Sequence, residues 1–367
     1  MIEMVAPMTP YQRAIASVMN EPVDELCSSP LALGLARRLM PQTVTYKEWA
    51  TTPELAAQSF VRAYEVWKLP FTVCLVDLSV TASNFGAHVR MDKENTPFVD
   101  EHIIHTAEDY EKIAECPTEI TEGRTGALLE MNRLLAPRIK DKSFHAAFLE
   151  GPLLTLTQAG GAEQVMMDMF VEPDAVHKAL ERTTKFCCEA VTWLGDNHAA
   201  QAMCWDYLWG NYSCLDDGQY GEFEGDKYAK ATNEATRKAG LGCGVHNCAD
   251  LPHLDTQINK FGSAFYSMAY YPLIPGSPTA SETIDKGYAD NCLLFGNIDP
   301  QMFIRNSKEE ITNATKDLCQ EVKTALCKRG LNSRYVISSG CEVPPDLETK
   351  LENVQAVMDA THQYGAF

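Results

Sequence analysis

The feature that most constrains how this chain can fold is a repeated unit: a short, nearly continuous apolar run followed by a longer stretch with helical spacing. The runs are Phe71–Asp77, Phe144–Glu150, Gln201–Tyr207, Gly240–Cys248, Ser263–Tyr271, Leu293–Ile298 and Arg334–Gly340. Runs of this length without strict alternation suit strands covered on both faces of a parallel sheet. The intervening segments carry helix signals. Glu172-Pro173-Asp174 opens a helix over 175–195, and Asn306-Ser307-Lys308-Glu309-Glu310 opens one that reaches about Arg329, with Gly330 as its stop. Pro345-Asp346 leads into a last helix toward His362. Strand–helix alternation with right-handed crossovers predicts an α/β protein, and its closed form is a TIM (β/α)8 barrel. Seven strands can be read and an eighth cannot. The first 65 residues read as a helical N-terminal extension that caps the barrel, and residues 66–367 as the barrel, with no linker dividing the chain. The stretch 89–99 reads as a hairpin inserted after the first visible strand.

Composition narrows the partners. With 31 Lys+Arg against 50 Asp+Glu, the formal charge is −19, which argues against nucleic acid and against an anionic membrane surface. No apolar run reaches the length of a membrane span, and the N-terminus lacks the pattern of a signal peptide. The 13 cysteines are odd in number and irregularly spaced, with Cys187 and Cys188 adjacent. They read as reduced thiols in a cytoplasmic protein, most of them small buried hydrophobes.

In a barrel of this kind the reacting groups sit at the C-terminal ends of the strands. Those ends carry Asp77, Glu150, Asp206-Tyr207, His246-Asn247-Cys248, Asn297 and Gly340-Cys341. His246 and Cys248 are two apart, so an extended strand points both to one side. An imidazole and a thiolate suit Zn²⁺. With 9 His and 13 Cys in 367 residues, one such pair is expected by chance about 0.3 times, so the spacing alone is a weak signal. Cys341, at the end of the last strand, is placed to be the third ligand because all strand ends share one rim. A His/Cys/Cys set leaves a fourth position open, as catalytic zinc requires.

These residues resemble the uroporphyrinogen decarboxylase-like superfamily, in particular its zinc-dependent corrinoid methyltransferase branch. The resemblance runs from about Trp49 to the last helix. It rests on Asp77-Leu78-Ser79-Val80-Thr81 with Phe85-Gly86-Ala87, on Gly151-Pro152-Leu153, and on Asp168 with Glu172-Pro173. Gly296-Asn297-Ile298-Asp299-Pro300 and the His-x-Cys pair with a distant Gly-Cys complete it. It implies a TIM barrel. The decarboxylases carry an Arg-Gln-Ala-Gly-Arg-Tyr-type segment near the N-terminus and a Gly-His near the C-terminus. Here the comparable stretches are Gly34-Leu35-Ala36-Arg37-Arg38-Leu39-Met40-Pro41, which lacks the first arginine, and Gly340-Cys341. A chain this acidic with half an arginine clamp is a poor host for eight carboxylates, so decarboxylation ranks as the second alternative.

Within the methyltransferase branch two directions stand open. In one, zinc binds the oxygen of a methyl donor while Co(I) of a separate corrinoid protein takes the methyl group. In the other, zinc presents a thiolate such as coenzyme M or homocysteine to a methylated corrinoid. Many thiol-branch members read His-x-Cys-Gly, whereas this chain has Cys248-Ala249-Asp250. Trp205, Tyr207, Trp209 and Tyr212 after one strand, with Tyr266, Tyr270 and Tyr271 on another, suggest walls for a methoxylated ring. The expectation is therefore an O-demethylase methyltransferase. Its metal ligands are His246, Cys248 and Cys341, its catalytic residues Asp77 and Glu150, and its substrate contacts Asp206, Tyr207, Asn297 and Tyr270. No Asp-x-His-x-x-Gly segment is present to ligate cobalt, so the corrinoid arrives on a partner protein. A homodimer is compatible with the sequence, which says nothing further of oligomeric state.

Overall fold

All seven apolar runs form strands, and they assemble with an eighth into one parallel sheet curled into a TIM barrel. The computed structural model describes residues 6–269 and 278–367. The barrel strands are β1 (Cys27–Ser28), β2 (Phe71–Cys74), β5 (Phe144–Glu150), β6 (Ala202–Asp206), β7 (Gly242–Asn247), β8 (Phe265–Met268), β9 (Leu293–Ile298) and β10 (Tyr335–Ser339). Between β2 and β5 lies an antiparallel hairpin of β3 (His88–Arg90) and β4 (Phe98–Glu101), where the sequence placed an insertion. The barrel order is β1-β10-β9-β8-β7-β6-β5-β2.

The eighth strand lies inside the N-terminal extension and is only two residues long. It pairs in parallel with β10, Cys27 opposite Val336 and Ser28 opposite Ile337. Ser29 then joins the two ends of the sheet: its N–H donates to the Ile337 carbonyl (2.8 Å) and its hydroxyl to the Phe71 carbonyl of β2 (2.8 Å). The first 65 residues thus supply the closing strand as well as the helices Pro10–Met19 and Tyr46–Thr51 and most of the helix Pro53–Trp67.

The helix starts follow the capping chemistry. Ser307 accepts from the Glu310 N–H (3.3 Å), and the Glu310 carboxylate accepts from the Ser307 N–H (2.7 Å), which opens the helix Lys308–Lys328. Gly330, at φ 72°, ends it as expected. The last helix begins at Leu351, later than Pro345-Asp346 suggests. Before it the chain makes a turn, closed by the Thr349 N–H to the Asp346 carbonyl (3.1 Å), and the Arg38 guanidinium donates to the carbonyls of Asp346 and Thr349 at the two ends of that turn.

Inside the barrel, the lower layers are filled by apolar side chains, among them a cluster of phenylalanines. Phe71 packs edge-on against Phe144 (5.7 Å between centroids) and Phe295 (5.0 Å), and Phe265 packs against Phe295 (6.1 Å). Gly244 makes room for them, since a Cβ there would lie 2.1 Å from the Phe265 ring. The plug gives the C-terminal layer a dry, low-dielectric floor. Among the described residues, no helix is long and apolar enough to cross a membrane.

Candidate metal centre

The C-terminal layer of the barrel begins with one lateral row. Strand register sets Glu150 opposite Asp206, Asp206 opposite His246, and His246 opposite Ser267. All four face inward, one step above the aromatic plug, and Phe148 from that plug lies 5.7 Å from the His246 ring. His246 is buried. Its Nδ1 lies 3.0 Å from Ser267 Oγ, which turns Nε2 toward the mouth of the barrel.

Cys248 follows directly on β7, and Asn247 sets its position. The Asn247 side chain points outward, where Nδ2 donates to the carbonyls of Tyr207 (3.0 Å) and Gly210 (2.9 Å) and to Gln257 Oε1 (3.1 Å). Its Oδ1 accepts from the Ala249 N–H (3.0 Å), turning the chain so that Cys248 overhangs the barrel. Cys341 arrives just past β10. Its Sγ lies 3.4 Å from Cys248 Sγ and 3.9 Å from His246 Nε2, and the three donor atoms all fall within 4.8 Å of one another.

This donor set fits a tetrahedral zinc ion. Zn–S bonds of about 2.3 Å and a Zn–N bond of about 2.0 Å imply donor–donor edges of roughly 3.5–3.8 Å, and the two observed edges bracket that range. The electrostatics agree. The Cys341 thiol is held well below its ordinary range by the Cys248 thiol and by His246, while Cys248 is pushed up by sharing its proton with Cys341. Burial works against the His246 imidazolium, but the Cys341 thiolate outweighs it and raises the His246 pKa. A thiol pair that shares a proton and an adjacent imidazole are groups from which a divalent cation would displace protons on binding.

The carboxyl groups around the triad differ in their surroundings. Glu150 is fully buried and pushed up to about 7, chiefly by burial and further by the negative charge of Asp77. Its Oε1 has one long contact, the Thr81 N–H at 3.5 Å, and its Oε2 has none. Asp206 is also raised to about 7 by burial; His246 opposes the shift and Cys341 adds to it. Asp77 is different, because every hydrogen bond it makes is charge-balanced or local. Arg124 from the helix Gly123–Ile139 grips both its oxygens, one contact being Nη1 to Oδ1 at 3.1 Å. Ser79 donates its N–H (2.9 Å) and hydroxyl (2.5 Å) to Oδ1. Asp77 and Glu342 line a cavity of about 160 Å³ under the β3–β4 hairpin, beside Ser79 and Phe98.

Three expected substrate contacts need correction or lie out of view. Tyr207 faces away from the barrel interior, because strand parity puts Asp206 inside and Tyr207 outside. Its hydroxyl is spent on Thr232 (2.7 Å) and Asn233 (3.0 Å) of the surrounding helix. Asn297 turns toward the helix layer, donating to the Pro278 carbonyl (3.4 Å) and lining an outer cavity with Thr279, Asp317 and Glu321. Tyr270, like Tyr271, lies outside the described residues. The aromatic wall fails in the same way: Trp205 donates to Thr236 (3.0 Å) and Tyr266 to Gln257 (2.8 Å), both on the outer face. Trp209 donates to Thr157 (2.8 Å), and the half-exposed Tyr212 ring lies tilted over the buried His253 ring.

Three residues went unnoticed in the sequence. Ser267 and Arg124 were legible in principle, the first from its parity with His246's neighbour strand. Glu224 was not, since it lies in the helical turn Gly221–Ala229, far from any strand end.

The uroporphyrinogen decarboxylase (URO-D) family profile matches residues 10–364. A methyltransferase from Methanosarcina mazei superposes with a TM-score of 0.77 at 18% identity, covering 97% of this chain and 99% of that one. A Listeria monocytogenes protein described as a candidate vitamin-B12-independent methionine synthase aligns over 98% of both chains at 13% identity, with a TM-score of 0.49. A search of curated protein sequences returned no significant match.

Proposed function

The chain belongs to the uroporphyrinogen decarboxylase family, and within it we propose that it is a zinc-dependent methyltransferase that moves a methyl group from a methoxylated aromatic to Co(I) of a separate corrinoid protein. The observation that supports this most is the convergence of His246, Cys248 and Cys341 at the mouth of the barrel. Zinc held by these three residues would supply a Lewis acid for the ether oxygen, so that a phenolate becomes a better leaving group. Ser267 orients His246 for that task. Glu150, poised near neutrality with Oε2 unpartnered, holds the proton that the departing oxygen needs. The Phe plug below excludes water from the floor.

Decarboxylation of a polycarboxylate porphyrinogen is disfavoured by the fate of the two N-terminal arginines. Arg37 pairs with Glu94 (3.0 Å) and covers the Tyr46 ring, and Arg38 is committed to the carbonyls of Asp346 and Thr349. The thiol-methylating direction is disfavoured by charge. Its acceptors carry a sulfonate or carboxylate, and the Arg124 guanidinium that could meet one is occupied by Asp77.

The corrinoid partner would dock over the rim. Phe98 of the β3–β4 hairpin and Tyr212, Leu251 and Leu347 of the segments after β6, β7 and β10 are exposed apolar side chains that such a partner would cover. We also propose that the whole chain works as one domain, since its N-terminal segment closes the barrel.

The test uses purified, zinc-loaded protein with cob(I)alamin and 2-methoxyphenol. The cob(I)alamin spectrum should convert to that of methylcobalamin, and the conversion should be lost on zinc removal. Consumption of methylcobalamin only on addition of coenzyme M or homocysteine, with methoxyarenes inert, would overturn the direction.

A further inference from the structure

The cavity of about 160 Å³ under the β3–β4 hairpin occupies one sector of the rim, above the neighbouring strands β10, β1 and β2. Glu342 reaches it from the segment after β10, where it directly follows Cys341, and Leu33 from the segment after β1. Leu75, Asp77 and Leu78 follow β2, and Phe98 belongs to β4. Apolar walls are thus present at the mouth, but in this sector and not around β6 and β8, where Trp205 and Tyr266 turn outward. The volume lies below the roughly 300–1,000 Å³ usual for drug-sized ligands, so the cavity suits a single small ring.

Its polar side chains divide into spent and free groups. Asp77 and Ser79 are bonded to each other and to Arg124. Glu342 is bonded on one side only: Oε1 accepts from the Gly34 N–H (2.6 Å), and no described residue bonds Oε2. The bare backbone of Gly34 makes that approach possible. A Cβ there would lie 3.0 Å from Oε1 and collide with the Tyr46 hydroxyl, which is itself fixed on the Val76 carbonyl (3.0 Å). Gln158, from the helix Pro152–Gly160, lines the cavity with a side-chain amide that bonds no described residue. No lysine, arginine or histidine lines it. A free carboxyl oxygen and a free amide, on walls otherwise apolar and without positive charge, complement a neutral ring bearing a hydroxyl, which both donates and accepts.

We propose that this cavity houses the ring of the methyl donor, and that Glu342 with Gln158 makes a free ring hydroxyl the condition of tight binding. A ring carrying a carboxylate would bring an anion to a wall with a carboxyl and no counter-charge, and is discriminated against. This rests on the methyl-ether reading above and names the substrate class of that site. Glu342 is a specificity-determining residue, and its peptide bond to Cys341 keeps the recognised ring next to the metal ligands.

Calorimetric binding to the zinc-loaded full chain tests this, with no methyl transfer required. The probes are 2-methoxyphenol, methoxybenzene and 4-hydroxy-3-methoxybenzoate. The wild type should bind 2-methoxyphenol about tenfold more tightly than methoxybenzene, the worth of one good hydrogen bond, and should bind the benzoate more weakly than 2-methoxyphenol. Glu342→Met should bring the two neutral probes within about twofold of each other by weakening 2-methoxyphenol alone, with zinc content unchanged. Gln158→Leu should narrow the preference in the same sense. Phe98→Ala, which removes wall and no polar group, should weaken both neutral probes by the same factor. Equal binding of the two neutral probes by the wild type would overturn the inference. So would tighter binding of the benzoate, or a preference that survives Glu342→Met or Gln158→Leu. Those results leave the methyl-ether reading standing. Binding of coenzyme M with none of the methoxyarenes bound would bring down that reading itself.

Discussion

Replacing Ser267 by alanine probes how the fold aims His246. For Nε2 to face a metal with its lone pair, Nδ1 must carry the proton and donate it to Ser267 Oγ, 3.0 Å away on the neighbouring strand. Both residues are buried, so water cannot replace the lost hydroxyl. In the metal-free protein the imidazole can shift its proton to Nε2, toward Cys341, and the substitution costs little. In the metal-bound state Nδ1–H is left buried without an acceptor, at a penalty of about 1–3 kcal/mol. Because the penalty falls on the bound state, zinc affinity should drop by roughly 5- to 150-fold, while Ser267→Thr, which keeps the hydroxyl, should retain it. Competition against a chromophoric zinc chelator measures this directly. An unchanged affinity in Ser267→Ala, with the variant folded, would refute the claim that this hydrogen bond sets the metal-binding face of His246.

Three further outcomes follow from the surrounding groups. Arg124→Met leaves the Asp77 carboxylate buried without its partner and should cost about 3–5 kcal/mol, read by chemical denaturation; the double Arg124→Met, Asp77→Leu variant should recover most of it. Burial raises the Glu150 pKa from 4.5 to about 7, so the folded state binds the proton more tightly than the unfolded chain. Its contribution is therefore fully present below pH 4.5 and fades as pH rises to 7. Relative to Glu150→Gln, the wild type should lose about 3 kcal/mol across that window, and parallel pH–stability curves would contradict the shift. Tyr207→Phe removes a hydroxyl shared with Thr232 and Asn233, so unfolding should be easier by about 1 kcal/mol with ring binding, measured calorimetrically, unaltered.

Much of this architecture was legible because it depends on strands that are buried on both faces. Such strands announce themselves as apolar runs, and their last residues fall at one rim whatever the details of closure. His246, Cys248 and Cys341 could be brought together on that ground alone. The closing strand could not, since Cys27–Ser28 is too short to show a period and its place depends on Ser29 reaching both Ile337 and Phe71. Tyr207 was misplaced by treating a strand end as a point; parity separates it from Asp206, and the opposite faces meet different layers. Asn297 breaks even that rule, because its side chain turns to Pro278 instead of following Leu293 and Phe295 into the barrel. Glu224 left no trace in the sequence, because it is buried within a helical segment away from every strand end.

The account stands on three ligands holding one metal, and zinc X-ray absorption tests that most directly. The wild-type spectrum should show two sulfur scatterers near 2.3 Å and one imidazole nitrogen near 2.0 Å, with any remaining donor light, and Cys341→Ser should lose one sulfur or the metal. A shell of nitrogen and oxygen alone, or an unchanged pair of sulfurs in Cys341→Ser, would contradict it.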